Sequence, residues 1–168
     1  MNSLLKSITL THNQFNRFSF QPSHFNFLVF YFLFLFFISC SPARNNEAFK
    51  KLSTKEQNKF QKYIIQGRDL YKANCIFCHQ ADGLGVKKLI PPLAGSDYLK
   101  VNQKQTALLI KNGSTTPITV NGISYSPTMP AHAHLTNLEI AELMTYINNS
   151  WGNEFGFVDG KYVSTLLE

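Results

Sequence analysis

Cys75-Ile76-Phe77-Cys78-His79 decides how the rest of this 168-residue chain is read. A C-x-x-C-H run is the attachment signal for a c-type haem. On a helical turn, residues three and four apart share a face, so both sulfurs and the imidazole project to one side. The sulfurs can then add across two haem vinyl groups while His79 reaches the iron. Three other chemistries use the same residue types. A thioredoxin-like redox pair asks for a βαβ pattern nearby, and none is evident. Zinc asks for about four protein ligands. Beyond Cys75, Cys78 and His79, with Cys40 remote, the chain offers His132 and His134, two apart rather than at finger spacing. A Cys75–Cys78 disulfide would close a tiny loop of little stabilising value.

Outward from the motif, the patterning is helical. Ser53-Thr-Lys-Glu56 fits a capping box, and beyond it Phe60, Tyr63, Ile64, Leu70 and Tyr71 recur at roughly helical spacing. Gly67 interrupts that run and marks a break or a close helix contact. A second box, Thr136 with Glu139, opens a run whose apolar stripe is Ile140, Leu143, Tyr146 and Ile147. Met144 lies inside that run, where core packing is its expected work. Asn121-Gly122 is a hairpin signal between two short β-like stretches.

Gly67, Tyr71 and Cys75, each four residues apart, resemble the first helix of the class I cytochromes c. The resemblance covers about residues 64–152 and extends to Pro91, twelve after His79, and Leu93, two further on, in the stretch IPPLAGSDYL. It implies that the Pro91 carbonyl accepts a hydrogen bond from His79 Nδ1–H and that Leu93 packs on the haem. It implies a methionine as second axial ligand, on a loop well downstream. Met129 sits in Ser126-Pro-Thr-Met-Pro130, where the prolines exclude helix, and Met129-Pro130 matches the family's Met-Pro. His132 or His134 in that role is the bis-His alternative. The expected fold is therefore all-α, with N- and C-terminal helices crossed around one covalent haem. Leu143 and Tyr146 should face Gly67 and Tyr71, and a small β-hairpin at 117–125 should form a flap over one haem edge. That stretch and NSWGN, 149–153, resemble one bacterial subgroup of small respiratory cytochromes. Residues 53–153 form the expected cytochrome domain and 154–168 a surface tail without evident chemistry.

The N-terminal part carries a different signal. Ten of the 15 Phe precede Cys40, and Lys6 and Arg17 precede a nearly unbroken apolar run from Phe25 to Ile38. Fourteen residues rise only about 21 Å as a helix, short of a bilayer core of about 30 Å. The run reads as the hydrophobic region of a secretory signal over 1–39, with an uncleaved anchor as the alternative. Phe37-Ile-Ser-Cys40 resembles the bacterial lipobox, with Phe37 in place of the usual Leu. That resemblance implies a lipidated Cys40, with 40–52 as lipidated N-terminus and flexible tether, on the periplasmic face of a bacterial membrane. Ser41 is not the aspartate that favours inner-membrane retention in some bacteria.

From Cys40 onward the chain has 14 Lys and Arg against 10 acids, a net +4. That balance suits redox partners with acidic docking surfaces or anionic lipid, and no Lys/Arg tract points to nucleic acid. With His79 and Met129 on the iron, no coordination position is left for a small-molecule substrate. The expectation is an electron-transfer protein, a one-electron carrier rather than an enzyme. The alternatives are a cytochrome subunit of a reductase or dehydrogenase complex, and a haem sensor or small peroxidase in which Met129 does not hold the iron.

Overall fold

The computed structural model describes residues 46–126 and 128–168. Its elements are α1 (Glu47–Lys50), α2 (Thr54–Asn74), α3 (Ile76–His79), α4 (Asp97–Val101), α5 (Gln103–Asn112), β1 (Ile118–Val120), β2 (Ile123–Tyr125), α6 (Asn137–Asn148) and α7 (Gly160–Leu167). The expected leader, 1–39, and Cys40 lie outside the described residues. Among the described residues no helix is long and apolar enough to cross a membrane.

Both capping boxes form. Ser53 takes an extended conformation and its hydroxyl accepts from Glu56 N–H, while the Glu56 carboxylate accepts from Ser53 N–H at 2.9 Å. Thr136 and Glu139 repeat the arrangement at the start of α6. Each box satisfies amide groups that have no partner inside the helix.

The two capped helices then cross. The buried face of α2 is Phe60, Tyr63, Gly67 and Tyr71; that of α6 includes Ile140, Ala141, Leu143, Met144 and Ile147. At the crossing, a Cβ on Gly67 would lie 2.0 Å from the Glu142 carbonyl oxygen and 2.7 Å from Tyr146 Cβ. Only hydrogen fits there. One turn on, Tyr71 and Tyr146 meet with ring centroids 5.5 Å apart, and Leu143 is fully buried. Met144 is a core residue, as its helical setting implies.

β1 and β2 form an antiparallel hairpin in which Ile118 pairs with Tyr125 and Val120 with Ile123. Asn121 and Gly122 both have positive φ (50° and 75°), the primed turn whose twist suits a two-residue hairpin. Asp97 and Asn121 exchange backbone-to-side-chain bonds at 3.0 and 2.7 Å, which fastens the turn to the start of α4.

Two segments differ from the sequence expectation. The stretch expected as tether contains α1, and Phe49 is buried with its ring 5.4 Å from Phe60. Asn46 Nδ2 donates to Asn149 Oδ1 at 2.8 Å, so the fold begins by Asn46 rather than at Ser53. The expected tail, 154–168, is packed. Phe157 stacks on Tyr63 at 5.1 Å, and Val158 bonds through both backbone groups to the Thr145 hydroxyl at 3.1 Å. α7 then seats Val163 at 0% exposure, with Leu166 and Leu167 half-buried on the core. An eight-residue helix is marginal alone. Its stability comes from this apolar side and from the Asp159 cap, which accepts from Lys161 N–H and pairs with Lys59.

Gly67→Ala should therefore cost about 2–3 kcal/mol through overpacking, a fall of about 10 °C in the melting temperature of the haem-loaded protein. Asp159→Ala should cost about 1 kcal/mol through the lost cap. The hydrogen bond from Lys59 holds the Asp159 carboxyl below its ordinary 3.8. The stabilisation from that carboxylate is complete above the ordinary value and is lost as pH falls through the depressed one. The gap between wild type and Asp159→Ala in denaturant melts should thus be full at pH 7, begin to narrow only as pH falls through about 4, and close below the depressed value; a gap of the same size at that acid pH would remove the Asp159 carboxylate from the account.

Candidate functional site

α2 ends where the motif begins. Cys75 is its C-cap, with its N–H on the Tyr71 carbonyl at 2.9 Å, and the Cys75 carbonyl accepts from the N–H groups of both Cys78 and His79. The chain thus turns into α3 within one residue. Both thiols are free and half-buried. Burial, and after it the neighbouring Cys78, push the Cys75 thiol up to about 12, so it stays neutral.

His79 Nδ1 lies 3.1 Å from the Pro91 carbonyl oxygen. A carbonyl can only accept, so Nδ1 carries the proton and Nε2 keeps its lone pair. Burial lowers the basicity of the ring, the bond to Pro91 opposes that, and nearby His132 adds to the lowering. A neutral imidazole with a fixed tautomer is the form that binds a metal.

The 80–95 loop delivers Pro91 because the C-terminal segment stitches it in place. Leu93 and Ala94 N–H bond to the Gly83 carbonyl at 2.7 and 3.0 Å. Asn153 Nδ2 donates to the Leu93 and Ile147 carbonyls, both at 2.9 Å, and its Oδ1 accepts from Gly95 N–H at 2.8 Å. Trp151 Nε1 donates to the Ala81 carbonyl at 2.9 Å while its ring rests on Tyr71 and Tyr146 at 5.2 and 5.7 Å. The NSWGN stretch is thus a clasp between loop and helices.

Met129 reaches the same space from the other side. It exchanges two backbone hydrogen bonds with Ser114, at 2.8 and 2.9 Å. Gly113, at the end of α5, has φ 69°, and a Cβ there would lie 2.4 Å from the Met129 carbonyl oxygen. The left-handed turn and the missing side chain let the methionine strand lie against the helix end.

Between these groups runs an apolar cleft in two lobes that share five lining residues. His79, Pro91, Leu109, Ile118 and Met129 line both lobes; Cys75 and Leu93 line the first and Cys78 the second. The expected residues of the domain are therefore gathered around one space. His132 and His134, rings 6.1 Å apart, line neither lobe. Cys40 lies outside the described residues.

Sequence reasoning missed the wall made by α5; β1, part of the expected flap, lines the same cleft. Thr106, Leu109, Ile110, Ile118 and Val120 line the cleft. The spacing of Thr106, Leu109 and Ile110 at three and four is a helical signal, but the segment is short and has no marked cap. Ser114 and Asn153 act through backbone-directed bonds, which carry no sequence signature.

The donor set fits a c-type haem. Two sulfurs sit at the foot of an apolar slot, an imidazole offers Nε2, and a thioether approaches from a stiff loop. The zinc alternative finds no support: among the described residues no group of three His, Cys, Asp or Glu side chains is arranged to hold a metal ion by itself. The redox-pair alternative lacks its scaffold, since the described sheet is a two-stranded hairpin.

Comparison with known proteins agrees with this geometry. The family model described as cytochrome c matches residues 64–151. The chain is 34% identical over 93 residues to the cytochrome c subunit of a quinone alcohol dehydrogenase from Gluconacetobacter polyoxogenes, covering 54% of this chain and 19% of that one. It is 33% identical over 90 residues to the subunit of the same description from Gluconobacter oxydans, with 52% and 18% covered. It is 33% identical over 91 residues to cytochrome c-552 of Thermus thermophilus, with 52% and 69% covered. The chain thus spans about a fifth of the dehydrogenase subunits it matches and about two thirds of the small Thermus protein.

Proposed function

The chain belongs to the cytochrome c family, and from that premise we propose that it is a one-electron carrier whose covalent haem is bound to Cys75 and Cys78, with His79 and Met129 as axial ligands. The family's cofactor is a covalently attached c-type haem, and its role is electron transfer. When bound, the haem supplies a one-electron iron couple. The observation that carries the reading is that His79, at the end of α3, and Met129, on the segment bridged to Ser114, line the same two lobes of the cleft.

What the protein contributes follows from those residues. Pro91 holds the His79 ring in one orientation and raises its basicity as a ligand. The Met129 thioether favours the reduced form and raises the potential. Apolar side chains, Leu93, Leu109 and Ile118 among them, exclude water from the slot. With a haem held by both His79 and Met129, electrons would pass with little rearrangement and no position would be left for a substrate.

A carrier needs partners, and the balance of charge from Cys40 onward, net +4, suits acidic docking surfaces on redox proteins. A second reading, a cytochrome subunit fixed to a dehydrogenase, is favoured by the names of two relatives. It differs in partnership, not chemistry, and purification from the native membrane separates the two: a fixed subunit leaves with its complex, a carrier alone. Export and attachment through a lipid on Cys40, at the periplasmic face of a bacterial membrane, complete the proposal. Its support is the apolar run 25–38 followed by FISC.

In Met129→Ala, covalent haem content should be unchanged. The weak sulfur-to-iron absorption at the red end of the oxidised spectrum should vanish, and the reduced protein should take up carbon monoxide. Ready carbon monoxide binding by the reduced wild type would instead favour a sensor or peroxidase. Cys40→Ser should leave uncleaved precursor, or release soluble protein, with haem loading intact; normal processing and membrane retention in that variant would remove the lipid anchor.

A further inference from the structure

The strand that carries Met129 is joined to the end of α5 at more than one point. Ser114 and Met129 exchange two backbone bonds, and three residues on, His132 N–H bonds to the Ile110 carbonyl at 3.0 Å. Any residue could make those bonds. Lys111 is different: its ammonium donates to the carbonyls of Ala133 at 2.9 Å and Leu135 at 2.7 Å, positions 22 and 24 residues away in sequence. Leu135 is buried at 2% exposure, directly before the Thr136 cap of α6, so this bond lies partly out of water. A charged donor on a carbonyl makes a stronger bond than a neutral pair, and partial burial preserves it.

The consequence is mechanical. Ser114 holds the near end of the 129–135 segment and Lys111 its far end, where it enters α6. With both ends held against α5, the segment has little slack, and the Met129 side chain stays at the cleft. Without Lys111 the segment would still be held by Ser114, by the His132 bond and by buried Leu135, but the carbonyls of Ala133 and Leu135 would lose their charged donor.

We propose that Lys111 is a positioning residue for axial ligation, a latch that keeps the Met129 segment closed on the haem site. The proposal rests on Met129 being the axial ligand. A competing ligand enters only while the methionine is away, so its apparent affinity scales with the fraction of time the segment is open. Lys111 sets that fraction without touching the iron.

The test is imidazole titration of the oxidised, haem-loaded protein, followed by loss of the red-end band. Lys111→Met should bind imidazole about tenfold more tightly than wild type, the effect of about one charge-assisted hydrogen bond. Lys111→Arg, which can donate to both carbonyls, should return to within about twofold. Lys104→Met removes an exposed charge from the same helix and should change nothing. A wild type that has the band, with Lys111→Met indistinguishable from Lys104→Met, overturns the latch alone. Imidazole binding tightened equally in Lys111→Met and Lys111→Arg overturns it too, because the bond would not be the cause. A wild type without the band overturns the ligand reading and the latch with it.

Discussion

Where α2 crosses α6 there is no room for a methyl group, and the Glu142 carbonyl lies where a Gly67 side chain would begin. Close contact at one point sets the register of everything after it. Tyr71 comes one turn beyond the crossing and stacks on Tyr146; Cys75 comes one turn beyond that and caps the helix. The haem-binding turn is thus placed by helix geometry, about 12 Å along α2 from the contact. Gly67 costs helix propensity of about 1 kcal/mol relative to alanine. The packing it permits, with Ile140, Leu143 and Met144 fully buried beside it, outweighs that cost.

The cleft is completed by loops, and loops need an outside hold. The 80–95 loop is held by Trp151 and Asn153, which lie just past the end of α6. The Met129 strand is held by Ser114 and Lys111 from the end of α5. Each side of the site is therefore braced by the end of a helix. The packed ends of the chain reinforce the frame: Phe49, Phe60, Tyr63 and Phe157 form one aromatic group where α1, α2 and the segment before α7 meet.

Such bracing matches what one-electron transfer asks of a protein. One-electron transfer is fastest when the iron's surroundings barely move between oxidation states; under the proposed ligation, a ring fixed by a backbone carbonyl and a thioether on a doubly held strand would meet that requirement. Docking and partner choice then fall to the surface. Phe77, between the two cysteines, is 91% exposed, and Leu84, Leu89, Lys87 and Lys88 follow on the exposed loop. Apolar contact and positive charge thus lie side by side on this loop.

Several features were determined by local sequence alone. The two capping boxes and the Asn121-Gly122 turn are each set by neighbours within four residues, and each formed as read; the C-x-x-C-H run takes the helical turn its spacing asks for. Met144 is a core residue in a helix and Met129 lies outside the helices, as their neighbours imply. The resemblance added Pro91 and Leu93, whose positions follow from a loop too long for local rules. What only the tertiary structure decided is of another kind. The 154–168 segment looked like a tail because eight residues cannot hold a helix alone; it becomes α7 once Val163 finds the core. Phe49 looked like part of a tether until Phe60 supplied a face to pack on. Ser114, Asn153 and Lys111 bond to backbone carbonyls and amides that every residue possesses, so nothing in their identity announces the partner. Local hydrogen bonds and turn preferences are encoded where they act, whereas burial and backbone-directed contacts depend on which distant segment arrives.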